Sequence, residues 1–197
     1  MNLTDAVWYL GRGTGTVALV LFTLTLVLGV TTRSGRRAAG LDRFGVVALH
    51  QTASLTAASL VVAHVVSLLF DPYAQLRLLD LALPFLAGFR PLWVGLGTAA
   101  LDVLVLLVVT SLLRHRIGPR AFRAVHWSAY ALWPLALVHG LGSGTDAGTA
   151  WFRLVAAGCA VTVAAALAWR TSTGFAERGM LRVPRQTSTP GRKAALR

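Results

Sequence analysis

Apolar residues in this chain do not alternate with polar ones. They come in five long blocks, at 13–32, 44–70, 91–113, 124–142 and 150–169, separated by short segments that carry most of the charge. About 20 predominantly apolar residues suffice for a helix to cross the hydrocarbon of a bilayer. Each block therefore predicts one crossing, and the expected fold class is all-α: an integral membrane bundle of about five transmembrane helices. The second block runs 27 residues without a charge, and a helix that long must tilt or project beyond the lipid. Between the second and third blocks, 71–90 mixes Pro72 and Pro84 with an apolar run at 78–86, which predicts a loop with a re-entrant or interfacial piece. After about Val183 the chain turns to Pro, Ser, Thr, Arg and Lys, a composition that cannot build a core. The expected organisation is a membrane domain over 1–170 and a basic, disordered cytoplasmic tail over 171–197.

Composition agrees with the pattern: 55% of the 197 residues are hydrophobic and 13% charged, against roughly 25% charged in a soluble domain. The first block could be a secretory signal, but only Arg12 precedes it as a basic residue. Its apolar run also exceeds the roughly 7–15 residues of such signals, so a retained helix is expected. Charge then adds orientation, because Lys and Arg accumulate in short cytoplasmic loops. Fifteen of the nineteen basic residues follow the first, third and fifth blocks, and only Arg12, Arg77, Arg90 and Arg153 fall on the other side. This predicts a multi-pass protein of the cell membrane with its N-terminus outside and its C-terminus in the cytoplasm. The formal charge of +12 is then mostly a topology signal, with some attraction for anionic lipid. No aromatic-rich soluble module accompanies it, so nucleic acid is not an expected partner.

Four histidines lie within the apolar blocks: His50 and His64 in the second, His126 and His139 in the fourth. Both blocks begin on the cytoplasmic side in this orientation, which puts His50 and His126 at the inner depth and His64 and His139 at the outer. Two imidazoles facing each other can hold one haem iron between them. In the second block the 14-residue interval rises about 21 Å and falls about 40° short of four full turns, so both rings share a face. In the fourth, 13 residues leave the rings some 140° out of phase in an ideal helix. Pro134 lies between them, and a proline that kinks or rewinds the helix is the expected correction. One intramembrane His is ordinarily a hydrogen-bonded packing residue. Four matched in depth point to function, since polar groups in lipid are costly. His115, between Arg114 and Arg116, is expected to be merely solvated. Cys159 is alone and no CxxCH occurs, which excludes covalent c-type haem attachment.

The His intervals occur together with Arg-Ala-Val-His-Trp-Ser-Ala-Tyr at 123–130 and Leu-Val-His-Gly-Leu at 137–141. This combination resembles the ferric-reductase-like transmembrane domain, found in NADPH oxidases, ferric reductases and the haem-binding membrane subunit of the periplasmic methionine sulfoxide reductase system. Trp-Tyr-Leu-Gly-Arg-Gly-Thr-Gly at 8–15, Pro-Leu-Trp-Val-Gly-Leu-Gly at 91–97 and Gly-Thr-Asp at 144–146 are similar to small bacterial members made of the membrane domain alone. The resemblance implies two b-type haems, the inner on His50 and His126 and the outer on His64 and His139, passing electrons across the membrane. The larger relatives add an N-terminal helix and a cytosolic flavin and nicotinamide module, neither of which is present in this sequence. The expected donor is therefore an external flavoprotein reductase or a quinol, and the expected acceptor lies on the periplasmic or extracellular side. The chain is expected to be an electron-transfer subunit of an oxidoreductase, not a complete reductase.

Further residues carry two readings each. Arg43, Arg90 and Arg123 flank the histidine helices at depths where haem propionates would lie, with ordinary interfacial arginine as the alternative. Trp133 lies between the two histidine levels, either aiding electronic coupling or filling space. Asp102 falls near the middle of the third block, where an ionisable group is expensive and a functional candidate; it could carry a proton, contact a His or haem edge, or only bond between helices. The glycines of 11–15 superficially suggest a phosphate loop, but they open a membrane block and follow no strand, so close helix packing is the expected role. Two rival functions use the same residues. One is a non-redox transporter or metal permease, and the other a structural membrane subunit of a redox complex.

Overall fold

The computed structural model describes residues 3–34, 40–173 and 175. Nearly all of the expected disordered tail, together with Arg36 and Arg37, lies outside the described residues. Among those described there are helices and no strand: α1 (Leu3–Ser34), α2 (Arg43–Phe70), α3 (Pro91–Leu112), α4 (Arg114–His126), α5 (Ala129–Ser143) and α6 (Ala150–Thr171), with one 3-10 turn at Leu78–Leu81. Four of them, α1, α2, α3 and α6, are long and apolar enough to cross a membrane on their own. The ends follow from local chemistry. Asp42 starts α2 by accepting a 2.8 Å hydrogen bond from the Gly45 N–H, satisfying one of the unpaired donors of a first turn. Pro91 opens α3, where its missing N–H has no intrahelical partner to lose.

The fourth apolar block does not form one regular crossing. Arginine-rich 114–123, expected to be loop, is helical as part of α4, apart from a break at Gly118, whose φ of 77° precedes Pro119. The chain then tightens between α4 and α5: Ser128 N–H donates to Val125, Tyr130 to Trp127 and Ala131 to Ser128, all across three residues. Bonds of this kind wind the backbone at three residues per turn. The remainder, α5, has 15 residues, short of a crossing by itself, and it contains Pro134 without a break. The overwinding therefore falls before the proline and not at it.

Packing organises these helices into two closely associated pairs. α1 lies along α2, and α3 along α5, while α1 also touches α5 and α6. By contrast α2 has no extensive backbone approach to α4 or α5, so the two histidine-bearing segments face each other without closing together. The core between α1, α3, α5 and α6 includes Phe22, Leu104, Leu132, Trp133, Cys159 and Val163. Two polar ties cross it. Trp133 Nε1–H donates to Thr23 Oγ1 at 2.8 Å, and Arg12 pairs through two nitrogens with the buried Asp146 in the α5–α6 connection. The Arg12 guanidinium also lies 4.0 Å over the Trp8 ring.

The 71–90 segment folds back on α3. Arg77 brackets the buried Asp80, donating at 2.8 Å to Oδ1 from Nη2 and at 3.1 Å to Oδ2 from Nε. The Asp80 carbonyl in turn accepts from Thr98 Oγ1 at 2.7 Å. Leu78, Leu79, Leu83, Phe85, Leu86 and Phe89 are all exposed, an apolar surface suited to the membrane interface.

Candidate functional site

α2 buries Val46, Ala53, Ala57 and Ser67, spaced by about whole helical turns on one face, and His50 and His64 fall along that stripe. Each ring is turned toward α1. His50 Nδ1 lies 3.0 Å from the Thr25 carbonyl and His64 Nδ1 lies 2.7 Å from the Gly11 carbonyl. On α5, His139 Nδ1 lies 2.8 Å from the Trp93 carbonyl of α3. A carbonyl oxygen can only accept, so the proton of each imidazole sits on Nδ1 and Nε2 keeps its lone pair. A backbone acceptor on the far nitrogen is the usual support of a metal-bound histidine, fixing tautomer and ring orientation. His126 differs, because its Nδ1 is buried and has no hydrogen-bond partner among the described residues. Its ring is held by stacking on Phe122, with centroids 5.1 Å apart and planes 26° from parallel.

The four rings form two pairs. His50 faces His126 and His64 faces His139, each with centroids 6.3 Å apart and planes at 70° and 82°. Two imidazoles bound through nitrogen to opposite sides of one metal at about 2 Å each would have centroids roughly 6 Å apart, so both pairs suit a single bridging iron. The separation of α2 from α4 and α5 leaves that space between helices. Among the described residues no cluster of three or more His, Cys, Asp or Glu occurs, so a metal would depend on two protein ligands and on a group supplying the others. A porphyrin does this.

The tightened backbone at 125–131 bears on the pairing. Each residue wound as a 3-10 turn advances about 20° more than an α-helical one, in the direction that reduces the phase gap between His126 and His139. Three such steps recover roughly 60° of that gap, and the two ring pairs end at the same centroid spacing.

The other sequence candidates scatter. Arg43 is exposed at the first residue of α2, and Arg123 is exposed one turn before His126. Arg90 caps α3 in a left-handed conformation and donates from Nη1 to the Gly142 carbonyl at 2.8 Å. Trp133 is buried against α1. Asp102 is exposed on α3 and makes no hydrogen bond or ion pair with the described residues, so the structure brings it to neither ring pair. His115 is exposed. Arg170, which sequence reasoning counted only as topology, lies 4.6 Å over the Trp127 ring and bonds the Tyr130 hydroxyl. Its position one residue past Trp169, at the end of an apolar block, was the available signal.

A family model described as the ferric reductase like transmembrane component matches residues 14–137. The matched segment carries His50, His64 and His126 and ends just before His139. Neither the curated proteins nor the solved structures gave a match.

Proposed function

This chain belongs to the ferric reductase like transmembrane component family, and from that premise we propose that it conducts electrons across the membrane through two b-type haems. His50 and His126 hold one, and His64 and His139 hold the other. The observation that carries the reading is the pair of facing imidazoles at each level, 6.3 Å apart. Three of the four also have Nδ1 committed to a backbone carbonyl. When bound, each haem supplies a one-electron iron couple whose potential the protein sets through ligands, burial and hydrogen bonds.

The side chains hold and insulate this couple. Two facing histidines at each level would hold the iron by two protein ligands and leave no place for a substrate, so the group would supply electron transfer there. The carbonyls of Gly11, Thr25 and Trp93 keep the rings in the ligating tautomer. Trp133, anchored on Thr23, fills the bundle between the two levels and excludes water there. Arg43 and Arg123, exposed near the His50 and His126 end, supply positive charge suited to propionate carboxylates.

The arginine distribution favours a cytoplasmic location for the His50 and His126 level in the cell membrane. An external flavoprotein reductase or a quinol delivers electrons there, and an acceptor on the periplasmic or extracellular side removes them. The chain is accordingly the electron-transfer subunit of an oxidoreductase. The test is a reduced-minus-oxidised spectrum of the purified protein with a pyridine haemochrome assay. Two non-covalent haems b per chain with low-spin bands are expected. A colourless protein made with ample haem supply would overturn the proposal, and one haem per chain would refute the two-level path.

A further inference from the structure

One local arrangement recurs three times around the histidine rings. The Gly11 carbonyl accepts from His64 and Gly15 follows four residues later; Thr25 serves His50 and is followed by Gly29; Trp93 serves His139 and is followed by Gly97. In an α-helix the carbonyl at position i already receives the N–H of position i+4. Side chains lean toward the helix N-terminus, so residue i+4 ordinarily covers the surface beside that carbonyl. A glycine at i+4 leaves the second lone pair open to an incoming ring.

We propose that Gly15 and Gly97 are positioning residues of the haem site: by lacking a side chain, each opens the backbone carbonyl that orients and tautomerises one ligand imidazole. The clearances support this. A Cβ on Gly97 would lie 2.6 Å from both Cε1 and Nδ1 of His139, and one on Gly15 would lie 2.9 Å from His64 Nδ1 and 3.0 Å from Cε1. Neither distance leaves room for a methyl group unless the ring moves off its carbonyl. The third instance is looser, since a Cβ on Gly29 would meet His50 Cε1 at 3.5 Å, an ordinary contact. Both tight seats serve the His64 and His139 pair. The other pair has one looser seat and, at His126, none. The two levels are therefore held unequally, the His64 and His139 level being fixed by backbone on both sides.

This inference rests on the haem assignment above, and the experiment separates the two. The full-length, haem-loaded protein is compared with Gly97→Ala, Gly15→Ala and Gly13→Ala. Gly13 is on the same helix as Gly15 but has nothing within 4 Å of an added Cβ, so it controls for helix propensity. Haem retention during dilution and the low-spin EPR signal of each site are measured. Gly97→Ala and Gly15→Ala should each weaken retention at one and the same site by roughly 10- to 100-fold, the usual cost of losing a support to a metal ligand. The remaining haem should keep its native signal and so report a folded bundle, and Gly13→Ala should match the parent. A colourless parent would remove the haem reading itself. A loaded parent whose Gly97→Ala and Gly15→Ala forms keep both signals overturns this inference alone, as does an equal effect of Gly13→Ala. If Gly97→Ala does not fold, Gly15→Ala decides by the same criteria.

Discussion

If, as proposed, each histidine serves one of two irons together with the ring it faces, the pairing has a distinctive mutational signature. His64→Ala or His139→Ala should each remove about half the haem absorbance, and the double variant should lose little more, because both changes empty the same site. A potentiometric titration resolves the components, and single variants that deplete different ones refute the pairing. A second prediction concerns the loop. Hydrogen bonds from the Arg77 guanidinium, then the one from the Arg77 N–H, and last the guanidinium charge hold the Asp80 carboxyl below its ordinary range against the opposing effect of desolvation. A depressed carboxylate pKa stabilises the fold fully above its unfolded value, about 4, and loses that contribution as pH falls through the lower folded value. Acid should therefore loosen 71–90, whereas neutral and alkaline pH should leave it intact. Amide exchange across the loop measures this, and Asp80→Asn should remove the pH dependence.

Between α4 and α5, the structure relocates a correction that the sequence attributes to Pro134. Three hydrogen bonds across three residues at 125–131 wind the helix ahead of the proline. The stretch around Trp127 and Ser128 accordingly recovers roughly 60° of the phase gap between His126 and His139. Inserting one alanine after Ser128 would turn α5 by about 100° and shift it about 1.5 Å, carrying His139 away from His64 while leaving His126 beside His50. Haem content should fall to one per chain, with the surviving component being the one that His50→Ala removes. Retention of both haems would show that registration is set elsewhere. At the other end, the salt bridge of Arg12 to Asp146 ties α1 to the α5–α6 connection, close to the turn whose Gly11 carbonyl receives His64. Within the glycine cluster at 11–15, Gly11 and Gly15 lie close against Ser67 and His64 of α2, whereas Gly13 has open space beside it.

As a whole molecule, the bundle offers two facing histidine pairs on apolar helices, and the proposed electron path is fed by an external donor. NADPH mixed with the purified, haem-loaded chain should leave its spectrum unchanged. Adding a flavoprotein reductase or a short-chain quinol should reduce it, and stopped-flow spectroscopy follows both. Reduction by NADPH alone, with contaminating reductases excluded, would overturn the external-donor assignment. In sealed vesicles, emptying either level should abolish electron transfer across the bilayer, since the proposed path runs through the two sites in series.

The sequence by itself determined that the chain is a helical membrane protein, because lipid offers no partner for backbone polar groups and so demands long apolar helices. It also singled out the four histidines, since few polar groups are tolerated at that depth and their intervals could be measured in helical turns. The pairing of the 14-residue and 13-residue intervals was legible only in part. Ideal-helix arithmetic has a fixed angle per residue and cannot say which bonds shift from four residues to three, so the overwinding at Trp127 and Ser128 is visible only in the folded chain. The glycine seats were equally hidden. Gly15 and Gly97 read as ordinary small packing residues until α2 and α5 bring an imidazole against each, because the carbonyl each one uncovers matters only when a ring from another helix reaches it.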